Sequence, residues 1–162
     1  MSRLLLVHHS PTRSMQALLE SVLAGARDDQ IEGVEVVKRP ALEATAEDVL
    51  AADGYLLGTP ANFGYMSGAL KHFFDSTFLH VGGALGEDGQ GSGDGGQVKK
   101  PFGLYVHGRY DTTGAVRSVH GIVSALGWRQ AFDDVEVMGE VDDAARGRVQ
   151  ELGATLAALL SP

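Results

Sequence analysis

Five times along this chain a short apolar run is followed by a stretch of helical period. That alternation limits the possible folds more than any other feature. Arg3 to His8 reads RLLLVH, near-continuously apolar as in a strand buried on both faces. A helix from about Ser14 to Arg27 follows, with Met15, Leu18, Leu19, Val22 and Leu23 at helical spacing. Val34 to Lys38 gives a second strand ended by Pro40. Glu43 to Ala51 reads as a helix, with Thr45 as N-cap before Glu47 and Asp48. Tyr55-Leu56-Leu57 forms the third strand, which breaks at Gly58-Thr59-Pro60 and gives way to a helix from about Ser67. Phe102 to His107, Thr113 to Leu126, Arg129 to Val137 and Asp142 to Leu160 complete the series as strand, helix, strand, helix. The pattern predicts a single α/β domain over residues 1–162. Its sheet would be parallel and five-stranded, of order 2-1-3-4-5, with helices on both faces joined by right-handed crossovers.

Gly82 to Gln97 interrupts the series with eight glycines in sixteen residues, three acids and no base. Such a segment buries too little surface to order itself, and it is expected to be a mobile loop and a lid over a site. Its Gly91-Ser92-Gly93-Asp94-Gly95-Gly96 fits G-x-G-x-x-G only as a string, since it follows no strand and opens no helix.

A net charge of −8 opposes binding to nucleic acid, which needs lysine and arginine to displace phosphate counterions, and to an anionic membrane surface. No apolar run reaches the roughly 18 residues that cross a bilayer, and MSRLLLVHHSP does not have the form of a signal peptide. A cytoplasmic location is expected. With no cysteine, disulfides, thiolate metal sites and thiol catalysis are excluded. The six histidines lack the spacing or neighbouring carboxylates of a metal site, so none is expected. A P-loop is absent, and His8-His9 stands where a phosphoacceptor domain of this fold needs acids.

In a sheet of this order ligands bind beyond the carboxyl ends of the strands. Three loops there carry suitable residues. Ser10-Pro11-Thr12-Arg13-Ser14 precedes a helix, where hydroxyls, backbone N–H groups and a guanidinium suit a phosphate, although an N-cap by Ser14 with no ligand reads equally well. Gly58 to Gly64, GTPANFG, follows the third strand. There Pro60 stiffens a turn and Gly64 permits close approach, while Phe63 could be a core aromatic and Asn62 a simple turn residue. His107-Gly108-Arg109-Tyr110-Asp111 follows the fourth strand, with His107 open to a packing role and Arg109 to a solvated one.

SPTRS stands where flavodoxin-like proteins carry their flavin-phosphate loop. GTPANFGYMSGALKHFFDST resembles the central motif of the WrbA-like NAD(P)H:quinone oxidoreductases and the NADPH-dependent FMN reductases, in Gly58, Thr59, Pro60, Phe63, Gly64, Met66, Ser67, Gly68, Phe74 and Asp75. The chain departs from the flavodoxin pattern at Arg13 and Met15, and from the WrbA-like pattern after the third helix. The resemblance implies a flavodoxin-like three-layer sandwich that binds FMN. Ser10, Thr12, Arg13, Ser14 and the Met15 amide would then hold the phosphate, and Pro60, Ala61, Asn62, Phe63 and Gly64 would run along the ring. His107, Gly108, Arg109, Tyr110 and Asp111 would close over its pyrimidine side. The implied activity is electron transfer from NAD(P)H through the flavin to a quinone or similar acceptor, in a homodimer or larger oligomer. His107, Arg109 and Tyr110 would shape the approach of the reactants. The alternatives are a flavodoxin-type electron carrier without its own NAD(P)H oxidation, and an interaction domain that has lost its flavin.

Overall fold

The computed structural model describes residues 1–81 and 99–162, so the glycine-rich tract 82–97 lies outside the described residues. The elements are β1 (Ser2–His8), α1 (Arg13–Ala26), β2 (Val34–Pro40), α2 (Ala46–Ala51), β3 (Gly54–Asn62), β4 (Tyr65–Met66), α3 (Gly68–Val81), β5 (Pro101–Gly108), α4 (Thr113–Ala125), β6 (Arg129–Gln130), β7 (Val135–Met138) and α5 (Asp143–Leu160). The parallel sheet runs β2-β1-β3-β5, and both β6 and β7 pair with the outer edge of β5. That is the expected 2-1-3-4-5 order, within a sheet of seven strands rather than five.

Two differences account for the added strands. The stretch expected as one strand, Arg129 to Val137, is broken between Gln130 and Val135. Asp133 and Asp134 are poor strand formers. Asp134 is drawn out of the ladder by His120 of α4, at 2.7 Å, and by the Gln130 side chain, at 3.3 Å. The third strand, in turn, does not stop at Gly58-Thr59-Pro60. It pairs with β5 as far as Pro60, then turns back antiparallel through β4. β1 ends opposite Gly58. The β1-facing edge of β3 is therefore open beyond that residue, which is where a residue without an N–H is tolerated.

The sheet separates two apolar layers. Leu4, Leu6, Leu56 and Tyr105 face α1 and α5, whereas Leu5, Val7, Tyr55, Leu57 and Leu104 face α2, α3 and α4. Helices α1 and α5 touch backbone to backbone. A Cβ on Gly25 would strike the Gln150 carbonyl, and one on Gly153 the Val22 carbonyl. Local signals also hold. Thr45 caps α2 in a capping box with Asp48, and Asp142 caps α5 through the Ala145 amide. Among the described residues no helix is long and apolar enough to cross a membrane.

Candidate functional site

The loops after β1, β3, β5 and β7 share one edge of the sheet. In the first, β1 stops at His8 and α1 starts at Arg13, and Thr12 rather than Ser14 is the N-cap. Thr12 is in extended conformation and its Oγ1 accepts the Met15 amide at 3.2 Å. That bond occupies the amide expected to reach a phosphate, and the Met15 side chain is buried in the core. The amides of Arg13 and Ser14 lie in the first helical turn, where no helical carbonyl can accept them. The Arg13 side chain is exposed and Ser14 half-buried. Ser10 Oγ lies 2.8 Å from Nδ1 of buried His8. His8 is held well below the usual histidine range, to about 4, by burial first and then by the nearby charges of Lys38 and His9.

The second loop is a hairpin whose two-residue tip is Phe63-Gly64, with Asn62 paired to Tyr65. Both tip residues have positive φ, 52° and 75°. This is the pattern of a type I′ turn, which glycine accepts and phenylalanine resists. Phe63 is not a core aromatic: its ring is fully exposed. A non-glycine residue held there against its preference marks a place where function outweighs local stability. Gly64 has open space where its Cβ would be, so positive φ, not close approach, demands glycine. Close approach falls instead to Gly114 of α4, whose Cβ would collide with the Gly64 carbonyl. The hairpin is braced from within by the Thr59 hydroxyl, which accepts the Ser67 amide at 2.9 Å. Pro60 is buried, Ala61 half-buried and Asn62 exposed.

In the third loop His107 is buried, and its Nε2 donates to the Gly139 carbonyl at 2.6 Å. Gly108 packs within 3.2 Å of where its Cβ would meet Ala61, which joins the second and third loops. Arg109 and Tyr110 are exposed. Asp111 accepts the Thr113 amide at 2.9 Å, and those hydrogen bonds hold its exposed carboxyl below the usual range. Thr112 donates to Glu136 at 2.6 Å, fastening the loop to β7.

Four further residues come from segments in which no functional residue was expected. Gly139, Glu140 and Val141 after β7, with Arg146 of α5, join Arg13, Ser14 and Arg109 around an open depression of about 400 Å³. The positive-φ glycine after the last strand is the one local signal that marks this loop. Three guanidiniums from three separate elements thus gather beside the start of α1, in a chain that is acidic overall. Free amides, hydroxyls and guanidiniums at a helix start suit a dianion, and an aromatic hairpin tip at the same sheet edge suits a flat ring.

The family described as NADPH-dependent FMN reductase matches residues 12–137. The chain belongs to that family. It is therefore an FMN-dependent oxidoreductase of flavodoxin-like fold. A flavodoxin of Aquifex aeolicus is 33% identical over 74% of this chain and 72% of its own length. An NAD(P)H dehydrogenase (quinone) of Acidithiobacillus ferrooxidans is 29% identical over 70% of this chain and 62% of its own. Among solved structures, a WrbA-like flavodoxin from Agrobacterium tumefaciens superposes with a TM-score of 0.72 at 18% identity, over 99% of this chain and 98% of that one. The FMN reductase match spans all three expected loops except Ser10 and Pro11.

Proposed function

We propose that this FMN reductase relative passes electrons from NAD(P)H to a quinone-type acceptor. FMN supplies the two-electron chemistry, and the chain supplies position and electrostatics. The Arg13 and Ser14 amides, the Ser10 and Thr12 hydroxyls and the Arg13 guanidinium hold the phosphate. The backbone from Pro60 to Gly64 and the loop from Gly108 to Asp111 would hold the ring. The exposed Arg109 and Tyr110 guide the nicotinamide and the acceptor, while His107 fixes the height of their loop through Gly139. Met15 contributes packing, its amide being spent on Thr12. The observation that carries the reading is the Phe63-Gly64 tip, a ring held in the open on an unfavourable backbone at the same sheet edge as a phosphate-ready helix start. The resemblance to the WrbA-like enzymes leads us to expect at least a dimer.

The likeness to the Aquifex flavodoxin favours a second reading, an electron carrier served by a separate reductase. Steady-state oxidation of NADPH and NADH with benzoquinone by the FMN-loaded protein separates the two. Turnover without any partner supports the enzyme; flavin binding without turnover supports the carrier.

A further inference from the structure

Three buried polar side-chain atoms have no hydrogen-bond partner among the described residues: Nε2 of His8, Nδ1 of His9 and the Tyr105 hydroxyl. The first and the last stand in one row of the sheet. His8 of β1 pairs with Gly58 of β3, and Gly58 pairs with Tyr105 of β5. All three positions face α1 and α5, because Leu4, Leu6, Leu56 and Tyr105 do so and strand residues alternate. A Cβ on Gly58 would meet the far end of the Tyr105 ring, its Cζ and hydroxyl oxygen. The Tyr105 ring therefore crosses over Gly58 with its hydroxyl directed toward β1, where His8 stands. The two atoms do not bond each other directly, and across two strand spacings, about 9–10 Å between backbones, two such side chains leave room for one shared water to join them.

We propose that Tyr105, acting through His8, sets the direction of the Ser10 hydroxyl so that it donates to the FMN phosphate. A buried phenol left unpaired costs stability, and a neutral imidazole offers it one acceptor nitrogen. Burial keeps His8 neutral. With Tyr105 donating to a bridging water and that water donating to Nε2, the ring proton resides on Nδ1 and is donated to Ser10 Oγ, 2.8 Å away. The Ser10 proton is then free to point out of the loop. In the opposite tautomer Ser10 would donate inward to Nδ1 and turn its lone pairs toward the anion. Gly58 belongs to the same device, since any side chain there would displace the tyrosine ring. Tyr105 is a positioning residue, remote from the flavin itself.

The proposal rests on the FMN reading of the Ser10 loop, and its test separates the two. Tyr105→Phe removes one oxygen that has no partner, so a merely structural role predicts unchanged or higher thermal stability with unchanged FMN affinity. The expected result is an FMN Kd raised about tenfold, the worth of one charge-assisted hydrogen bond, with riboflavin, which lacks the phosphate, bound as before. Ser10→Ala should show the same loss, and adding Tyr105→Phe to it should cost nothing further. The ¹⁵N shifts of His8 in flavin-free protein should report a proton on Nδ1 in the native chain and its redistribution in Tyr105→Phe. Equal losses for FMN and riboflavin, additive losses in the double variant, or a native His8 proton on Nε2 would each overturn the proposal. A chain that ignored FMN would sink the function proposed above, and the His8 spectrum would still decide the direction of Ser10.

Discussion

Nε2 of His107 donates to the carbonyl oxygen of Gly139 at 2.6 Å, and the Gly139 amide donates to the Gly108 carbonyl at 2.8 Å. The loop after β7 is thereby tied to the end of β5 twice, so Arg109 and Arg146 face one depression. His107→Ala leaves a carbonyl without its partner and is expected to cost about 1–3 kcal/mol in urea unfolding. Turnover per bound flavin should stay near that of the native protein. A collapse of turnover with unchanged stability would instead make His107 a catalytic group.

Charge at the start of α1 decides flavin retention. Arg13→Glu places a like charge against a dianion and removes a donor, and should raise the FMN Kd roughly a hundredfold. Calorimetric titration measures it, and an unchanged Kd would remove the phosphate from this loop.

The hairpin tip trades stability for exposure of a ring. Phe63→Asn creates the Asn-Gly pair that type I′ turns favour and should stabilise the fold by about 1 kcal/mol. The same change should lower kcat/KM for benzoquinone. Thermal melts and steady-state kinetics on one preparation check both halves; a gain in stability without loss of activity would leave the ring with no function.

Gly114→Ala drives a methyl group into the Gly64 carbonyl, and should weaken FMN binding and lower the melting temperature. Gly121, on the same helix with open space around it, is the control. Gly121→Ala should stabilise by about 0.5–1 kcal/mol, since alanine is the better helix former.

His8 gives a pH dependence of definite sign. Its folded value is depressed to about 4 against 6.5 for the free side chain. Between those values the unfolded chain binds the proton that the folded chain refuses. Its contribution to stability is therefore complete above about pH 6.5 and is lost as the pH falls toward 4, at no more than about 1.4 kcal/mol per unit. Urea midpoints across that range should decline in the native protein, and His8→Phe should flatten the decline.

The order of the sheet was legible because β1, β3 and β5 are buried on both faces and so read as unbroken apolar runs. The boundaries that failed depend on distant partners. The Ala131 to Asp134 break depends on His120, eleven residues before it begins, and the continuation of β3 depends on where β1 ends. Thr12 and Ser14 both offer a hydroxyl, and only the path of the chain selects Thr12 as the cap. The roles of Gly114, Gly58 and His107 are set by Gly64, Tyr105 and Gly139, each far along the chain, so no local pattern announces them. Arg146 stands in the first turn of α5, on the exposed side of a helix whose sequence reads as ordinary amphipathic packing.

The close seating of α1 against α5 through Gly25 and Gly153 reaches beyond packing. Every loop residue assigned to the flavin precedes Asp143, yet the helix that presents Arg13 has its apolar side covered by α5, which is synthesised after all of them. A nascent chain halted at β7 would carry Arg13, Arg109 and the three loops but neither Arg146 nor the support of α1, so cofactor capture awaits α5.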